Sequence, residues 1–288
     1  MNMNSTCYLC HLKKQVETAR PLGSEAQLTA FTRDLMQLYL ESPVTVSAPW
    51  FSPQANDLFR KHYGTPEDRF VEEKELSNRF VVERLPRLKA MAEAAEDPVY
   101  AGLQLALLGN YIDFSALFGE VSFESLDEML ENFKDISVDE AVYRRFCEEL
   151  AAGKELLYVT DNAGEIGFDR VFAEALQKKF PHLRITFCVR GGPSLNDATR
   201  ADAQAVGVPF PVIDNGNLIS GTQLDALGEE AREAFARADV ILCKGQANVE
   251  TLYGCGLNVY YAFLVKCQRF VEVFQKPKLT PMLLAERK

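Results

Sequence analysis

From Gly153 onward the chain alternates short runs rich in β-branched and aromatic residues with stretches of helical period, and no other feature of the sequence constrains the fold as much. LLYVT (156–160), RITFCVR (184–190), FPVID (210–214), DVILC (239–243) and NVYYAFLV (258–265) read as strands. They are largely apolar, as strands of a parallel sheet are when helices cover both faces. The predicted class is therefore α/β, a mostly parallel sheet flanked by helices.

The first half reads as helical. In residues 24–41, Leu28, Phe31, Leu35, Leu38 and Tyr39 recur at three- and four-residue spacings behind Ser24, a candidate N-cap. Residues 67–94 continue in that style, with Pro86 expected to kink or divide the helix. Residues 97–115 are apolar nearly all round, which predicts a buried helix ending near Gly109. Two amphipathic helices are expected at about 124–134 and 138–151. The organisation read from this is a helical region, 1–152, followed by an α/β region, 153–288, that carries the site. No linker-like run of Gly, Ser or Pro separates them.

Composition excludes several function classes. With 31 Lys and Arg against 41 Asp and Glu, the chain carries a formal net charge of -10 over its 288 residues. Nucleic-acid binding relies on clustered cations, so no nucleic-acid partner is expected. No run approaches the roughly 18 apolar residues of a membrane span, and the N-terminal MNMNSTCYLCHLKK lacks the apolar core of a secretion signal. The expectation is a cytoplasmic protein without a membrane partner, its oligomeric state left open. Its seven cysteines, Cys147, Cys188, Cys243 and Cys255 among them, suit reduced thiols better than a disulfide framework.

In an open α/β sheet, ligands bind beyond the carboxyl ends of the strands. Three strand ends here are unusually polar: Asp161, Asn162 and Glu165 follow the first strand, Asn196 and Asp197 the second, Lys244, Asn248 and Glu250 the fourth. Singly, each has an ordinary explanation as a helix cap or a solvated lysine. Together, one sheet edge would gather Asp161, Asn162 and Asp197, a hard-oxygen set suited to Mg²⁺ or Mn²⁺. Lys244 and the helix starts near Gly164 and Gly245 would cradle a phosphate. That combination suggests metal-assisted phosphoryl chemistry, the metal serving as Lewis acid and water activator. Neither a GxxxxGK[ST] loop nor a G-x-G-x-x-G fingerprint is present.

DNAGE at 161–165, NDAT at 196–199 and KGQAN-E at 244–250, with CYLC at 7–10 and GNYIDF at 109–114, resemble the family long called domain of unknown function 89, now described as damage-control phosphatases. The N-terminal CxxC is similar to that of the stand-alone prokaryotic branch. Val249 departs from the aromatic residue usual after KG-x-x-N. The resemblance implies a helical region on a Rossmann-like α/β domain and hydrolysis of small phosphorylated metabolites with a divalent metal, Mn, Mg, Co or Ni. It also implies Asp161, Asn162 and Asp197 as metal ligands and Lys244 near the phosphate.

Asp161 and Lys244 are thus the expected catalytic residues, Asp161 either as ligand or as nucleophile. Glu165, Asn110, Asp113, Asn248 and Glu250 are expected to contact substrate. Asn110 and Asp113 lie one helical turn apart at the end of the apolar helix, where a polar pair is either a satisfied cap or part of the cleft. Specificity is expected from the helical half, around Asn110, Asp113, Lys74 and Asn78. Cys7 and Cys10 form a lone CxxC without the second half of a zinc site, with His11 and Cys267 as further candidate ligands. The alternative function is a non-catalytic binder of a phosphorylated or carboxylated small ligand.

Overall fold

The alternation after Gly153 folds into a six-stranded sheet of order β3-β2-β1-β4-β5-β6. Its strands are β1 (Glu155–Val159), β2 (Arg184–Val189), β3 (Val212–Asp214), β4 (Val240–Lys244), β5 (Val259–Leu264) and β6 (Pro281–Ala285). β1 to β5 are parallel, and only β6 runs antiparallel, beside β5. The molecule is described by a computed structural model that covers residues 1–112 and 123–286. β6 is the one strand the sequence pattern does not announce. It is short, begins with proline and pairs on one side only, which is where a strand tolerates a missing donor.

Among the described residues seven helices precede the sheet: α1 (Ser5–Ala19), α2 (Glu25–Glu41), α3 (Ser52–Tyr63), α4 (Val71–Glu93), α5 (Pro98–Gly109), α6 (Phe123–Glu131) and α7 (Glu140–Ala152). Five more connect its strands: α8 (Glu165–Lys179), α9 (Arg200–Ala205), α10 (Glu229–Arg237), α11 (Gly245–Leu252) and α12 (Gln268–Phe274). Ser24 caps α2 as expected, its hydroxyl accepting from the Gln27 amide while Gln27 reaches back to the Ser24 amide. Pro86 lies inside α4 without dividing it. Val82, whose carbonyl thereby loses its helical partner, is exposed, so water can replace the missing donor.

The change of texture at residue 152 marks the end of α7, yet the core does not stop there. Phe80, Leu88, Leu105 and Phe146 from the helices pack in one apolar cluster with Tyr158, Phe172, Phe187 and Tyr260 from the α/β part. A second cluster, including Val159, Cys243 and Phe263, fills the opposite face of the sheet. A third, of Leu28, Phe31, Leu35 and Phe59, holds α1, α2 and α3 together. α5 carries no polar face toward water because it lies against α8. No helix among the described residues is long and apolar enough to cross a membrane.

Candidate active site

The chain leaves β1 toward β2 on one side and returns through β4 on the other, so the order of the sheet reverses between β1 and β4. Loops at such a reversal diverge and open a crevice beyond the strand ends. A cleft of about 170 Å³ lies there, walled by Asp161, Asn162, Asp197, Ser220, Gln246 and Lys266. The helical half closes it: α1 contributes His11, Lys14 and Gln15, and the loop before α4 contributes Arg69.

Asn162 and Asp197 are joined by a backbone bridge, and the Ala198 amide donates to the Asp161 carbonyl at 2.7 Å. The loops after β1 and β2 are thus tied to each other, which gathers Asp161, Asn162 and Asp197 on one wall. Gly245, first residue of α11, makes this possible from the β4 side. Its φ is +74°, and a Cβ there would lie 1.8 Å from Asp161 Oδ2.

Side chains behind the wall fix how these groups face. Asn162 Nδ2 donates to Asp161 Oδ2 at 2.9 Å and to Glu165 Oε2 at 2.8 Å. Asn110 Nδ2 donates to the same two oxygens, at 3.1 and 2.8 Å, while its own Oδ1 accepts from the Leu264 amide at 3.1 Å. Two amides therefore bridge Asp161 and Glu165, and that engagement commits the nitrogen of Asn162 to the carboxylates. Asp197 is held differently: Arg190 Nε donates to its Oδ2 at 2.5 Å, and Ser220 Oγ lies 3.3 and 3.2 Å from its two oxygens.

Lys244 does not stand where a phosphate-contacting lysine is expected. Its ammonium is 0% exposed and has three partners, the Ala106 carbonyl at 2.7 Å, Glu165 at 2.8 Å and Asp169 at 3.0 Å. An ammonium has three protons, so none is left for a phosphate. Burial alone would lower its pKa, but Asp169 and Glu165 outweigh that and hold it above its ordinary value. Burial pushes the Asp169 carboxyl up to about 7 against the pull of Lys244, and its Oδ2 has no partner among the described residues.

Three residues expected to contact substrate also lie behind the wall. Glu165, Asn110 and Asn248 are each fully buried. Asn248 ties the strand ends together, donating to the Thr160 and Lys244 carbonyls at 3.1 and 2.7 Å and accepting from Thr222. Glu250 does line the cleft, and burial raises its pKa. Asp113 lies outside the described residues. Lys74 and Asn78 join the two halves: Lys74 pairs with Asp202 at 3.1 Å, and Asn78 bonds both Asp202 and the Gly164 amide.

All seven cysteines are unbridged. Cys7 Sγ accepts from Arg269 at 3.2 Å, and His11 bonds Tyr39 and Gln15, its pKa lowered by burial to about 4, so it is neutral. The CxxC occupies the first turns of the helix that carries His11, Lys14 and Gln15 to the cleft. Sequence reasoning missed Arg190, Asp169, Lys266 and Arg69. Asp169 had a signal, since it follows Glu165 by one helical turn on a buried face; Arg190 had a weaker one, as a charge ending an apolar strand. Lys266 and Arg69 had none.

Among the described residues no group of three or more His, Cys, Asp or Glu side chains is arranged to hold a metal ion. The candidate set is mixed, two carboxylates and one amide oxygen, and such hard oxygens fit Mg²⁺ or Mn²⁺.

Residues 3–280 match the family described as the damage-control phosphatase ARMT1-like domain. A damage-control phosphatase of Archaeoglobus fulgidus is 29% identical over 259 residues, which cover 85% of this chain and 88% of that relative. A damage-control phosphatase of Pyrococcus horikoshii is 34% identical over 181 residues, 61% of each chain. The crystal structure of a DUF89 family protein from the same organism superposes with a TM-score of 0.84 over 100% of both chains at 24% identity, which shows a shared fold.

Proposed function

This chain belongs to the damage-control phosphatase ARMT1-like family, and we propose that it is a metal-dependent phosphatase that hydrolyses a small phosphorylated metabolite in the cytosol. One observation carries the reading: Asp161, Asn162 and Asp197 meet on one wall of a cleft at the point where the strand order reverses.

A divalent cation held by these three residues would supply Lewis-acid polarisation and an acidified water. The chain's own groups do the rest. In hydrolysis a water oxygen bonds to phosphorus, the bond from phosphorus to the ester oxygen breaks, and the departing alkoxide takes a proton. Lys266 and the amides opening α11 line the cleft, where they offset charge on the phosphoryl oxygens. The amides of Asn110 and Asn162 hold the Asp161 carboxylate in one orientation, ready to act as ligand or as nucleophile. Lys244 takes part by holding Glu165, which in turn orients Asn162.

Release of inorganic phosphate from para-nitrophenyl phosphate tests this, with Mn²⁺, Mg²⁺, Co²⁺ or Ni²⁺ added in turn. Turnover that a chelator abolishes is the expected result. Metal-dependent binding of phosphorylated compounds without phosphate release would instead favour the non-catalytic binder.

A further inference from the structure

Arg69, which is half-buried, differs from the buried cations of this molecule. Its Nε donates to Asn56 Oδ1 at 3.0 Å, and its guanidinium carbon lies 3.7 Å from the centre of the Phe59 ring. Phe59 is itself fully buried in the core of the first three helices. These two contacts fix the plane of the guanidinium and leave its charge uncompensated. Among the described residues no Asp or Glu lies within ion-pair distance of it, whereas Lys74, Lys244 and Arg190 all have carboxylate partners. Neighbouring Asp68 is engaged with the Phe70 amide and Lys74. Burial lowers the Arg69 pKa to about 10, so the group stays charged at neutral pH.

Its place in the cleft is equally distinctive. Arg69, Ser52 and Leu195 wall both the cleft and an adjoining cavity of about 10 Å³. Glu67 and Asp68 also line that cavity, and it has room for no more than a water, so an anion would meet Arg69 from the cleft side. Ser194 also lines that cavity, and its hydroxyl is buried with no partner among the described residues. Leu195 holds a left-handed backbone, φ +49°, a conformation a leucine keeps only when its surroundings impose it. A half-buried guanidinium without a counter-ion gains from an anion, and its planar fork matches a carboxylate or phosphate.

Resting on the phosphatase reading, we propose that Arg69 selects substrates that carry a second anionic group, a carboxylate or another phosphate, remote from the phosphoryl group that is hydrolysed. The transferred phosphoryl is served by Lys266 and α11 on the other wall. The second anion supplies the counter-ion Arg69 lacks, on the cleft side of the guanidinium.

The test compares kcat/KM on three matched esters, 2-hydroxyethyl phosphate, 2-phosphoglycolate and ethylene bisphosphate, for the metal-supplemented full chain and for Arg69→Gln and Arg69→Lys. The wild type should prefer at least one of the two esters with a second anionic group over 2-hydroxyethyl phosphate, which has only the phosphate, by about 10- to 100-fold, the worth of a charge-assisted hydrogen bond. Whichever ester is preferred identifies the second group. Arg69→Gln should bring that ratio near one, and Arg69→Lys should restore part of it, since it keeps the charge and loses the fork. Equal loss on all three esters would mean that Arg69 holds the transferred phosphoryl, and an absent preference in the wild type would likewise overturn the proposal. If Arg69→Gln melts well below the wild type, Arg69→Lys alone decides, through the same ratio. Failure of the wild type to turn over any ester would defeat the phosphatase reading first and this inference with it.

Discussion

Lys244 and Arg190 both stand beside Asp161 and its neighbours, buried and paired with a carboxylate, yet they are wired differently. Lys244 spends every proton on Glu165, Asp169 and the Ala106 carbonyl, behind the cleft wall. Arg190 grips Asp197, which lines the cleft, and its Nη1 is buried without a partner among the described residues. The closed arrangement serves the fold, because its cation and its two carboxylates face one another and not the cleft. The open one serves a ligand, because the carboxylate it holds still faces the cavity.

Breaking the closed node should give the largest effect. Lys244→Met leaves Glu165 and Asp169 buried without their cation, and losing one partner of a buried pair costs about 3–5 kcal/mol. Denaturant unfolding would measure it. A change below about 1 kcal/mol would mean that the node is not closed as described.

On the open side, Asp161→Asn should cost activity more than the roughly 100-fold that losing a supporting partner of a metal ligand costs. Stability should not fall with it. Glu165 Oε2 and Asp161 Oδ2 accept from the same two amides, so removing one of two neighbouring negative charges relieves repulsion. Asp197, on the same wall, has Arg190 as its counter-charge. Added metal should raise the melting temperature of the wild type and not of this variant, since metal binds the folded site. A variant with full activity and the full thermal response would defeat the site assignment.

Glu165→Gln connects the two arrangements. It weakens the hold of Lys244 and frees Asn162 to turn, so activity should fall about 10- to 100-fold, the usual cost of an orienting partner. The apparent metal affinity, read from thermal shifts against metal concentration, should fall alongside. A loss of stability with metal affinity intact would confine Glu165 to the structural node.

The smallest effect is a pH dependence. The Asp169 carboxyl is pushed up to about 7 in the folded protein, so the fold binds its proton more tightly than the unfolded chain does. Its contribution to stability is complete below about pH 4 and is lost as pH rises through about 7. Asp169→Asn should remove that loss, so melting temperatures of wild type relative to variant should decline between pH 4 and 8. Parallel profiles would remove Asp169 as the source.

Five of the six strands and the capped start of α2 were legible because burial on both faces, helical period and capping chemistry are local patterns. β6 was not legible, since an edge strand makes half the pairings and carries little of the pattern. The polar strand ends marked Asp161, Asn162 and Asp197 as belonging to one sheet edge, and all three line the cleft. Lys244, Glu165, Asn110 and Asn248 carried the same polar signal and went behind the wall instead.

The sequence by itself determined the α/β class, the sheet edge that gathers the polar residues and the family to which the chain belongs. Only the tertiary structure decided which charges close on one another and which stay open. Whether a lysine faces a phosphate or two carboxylates depends on partners far along the chain, Lys244 meeting Glu165 79 residues away and Ala106 138 residues away. Local spacing holds no record of such meetings, because the packing of α5 on α8 and of α8 on the sheet sets them.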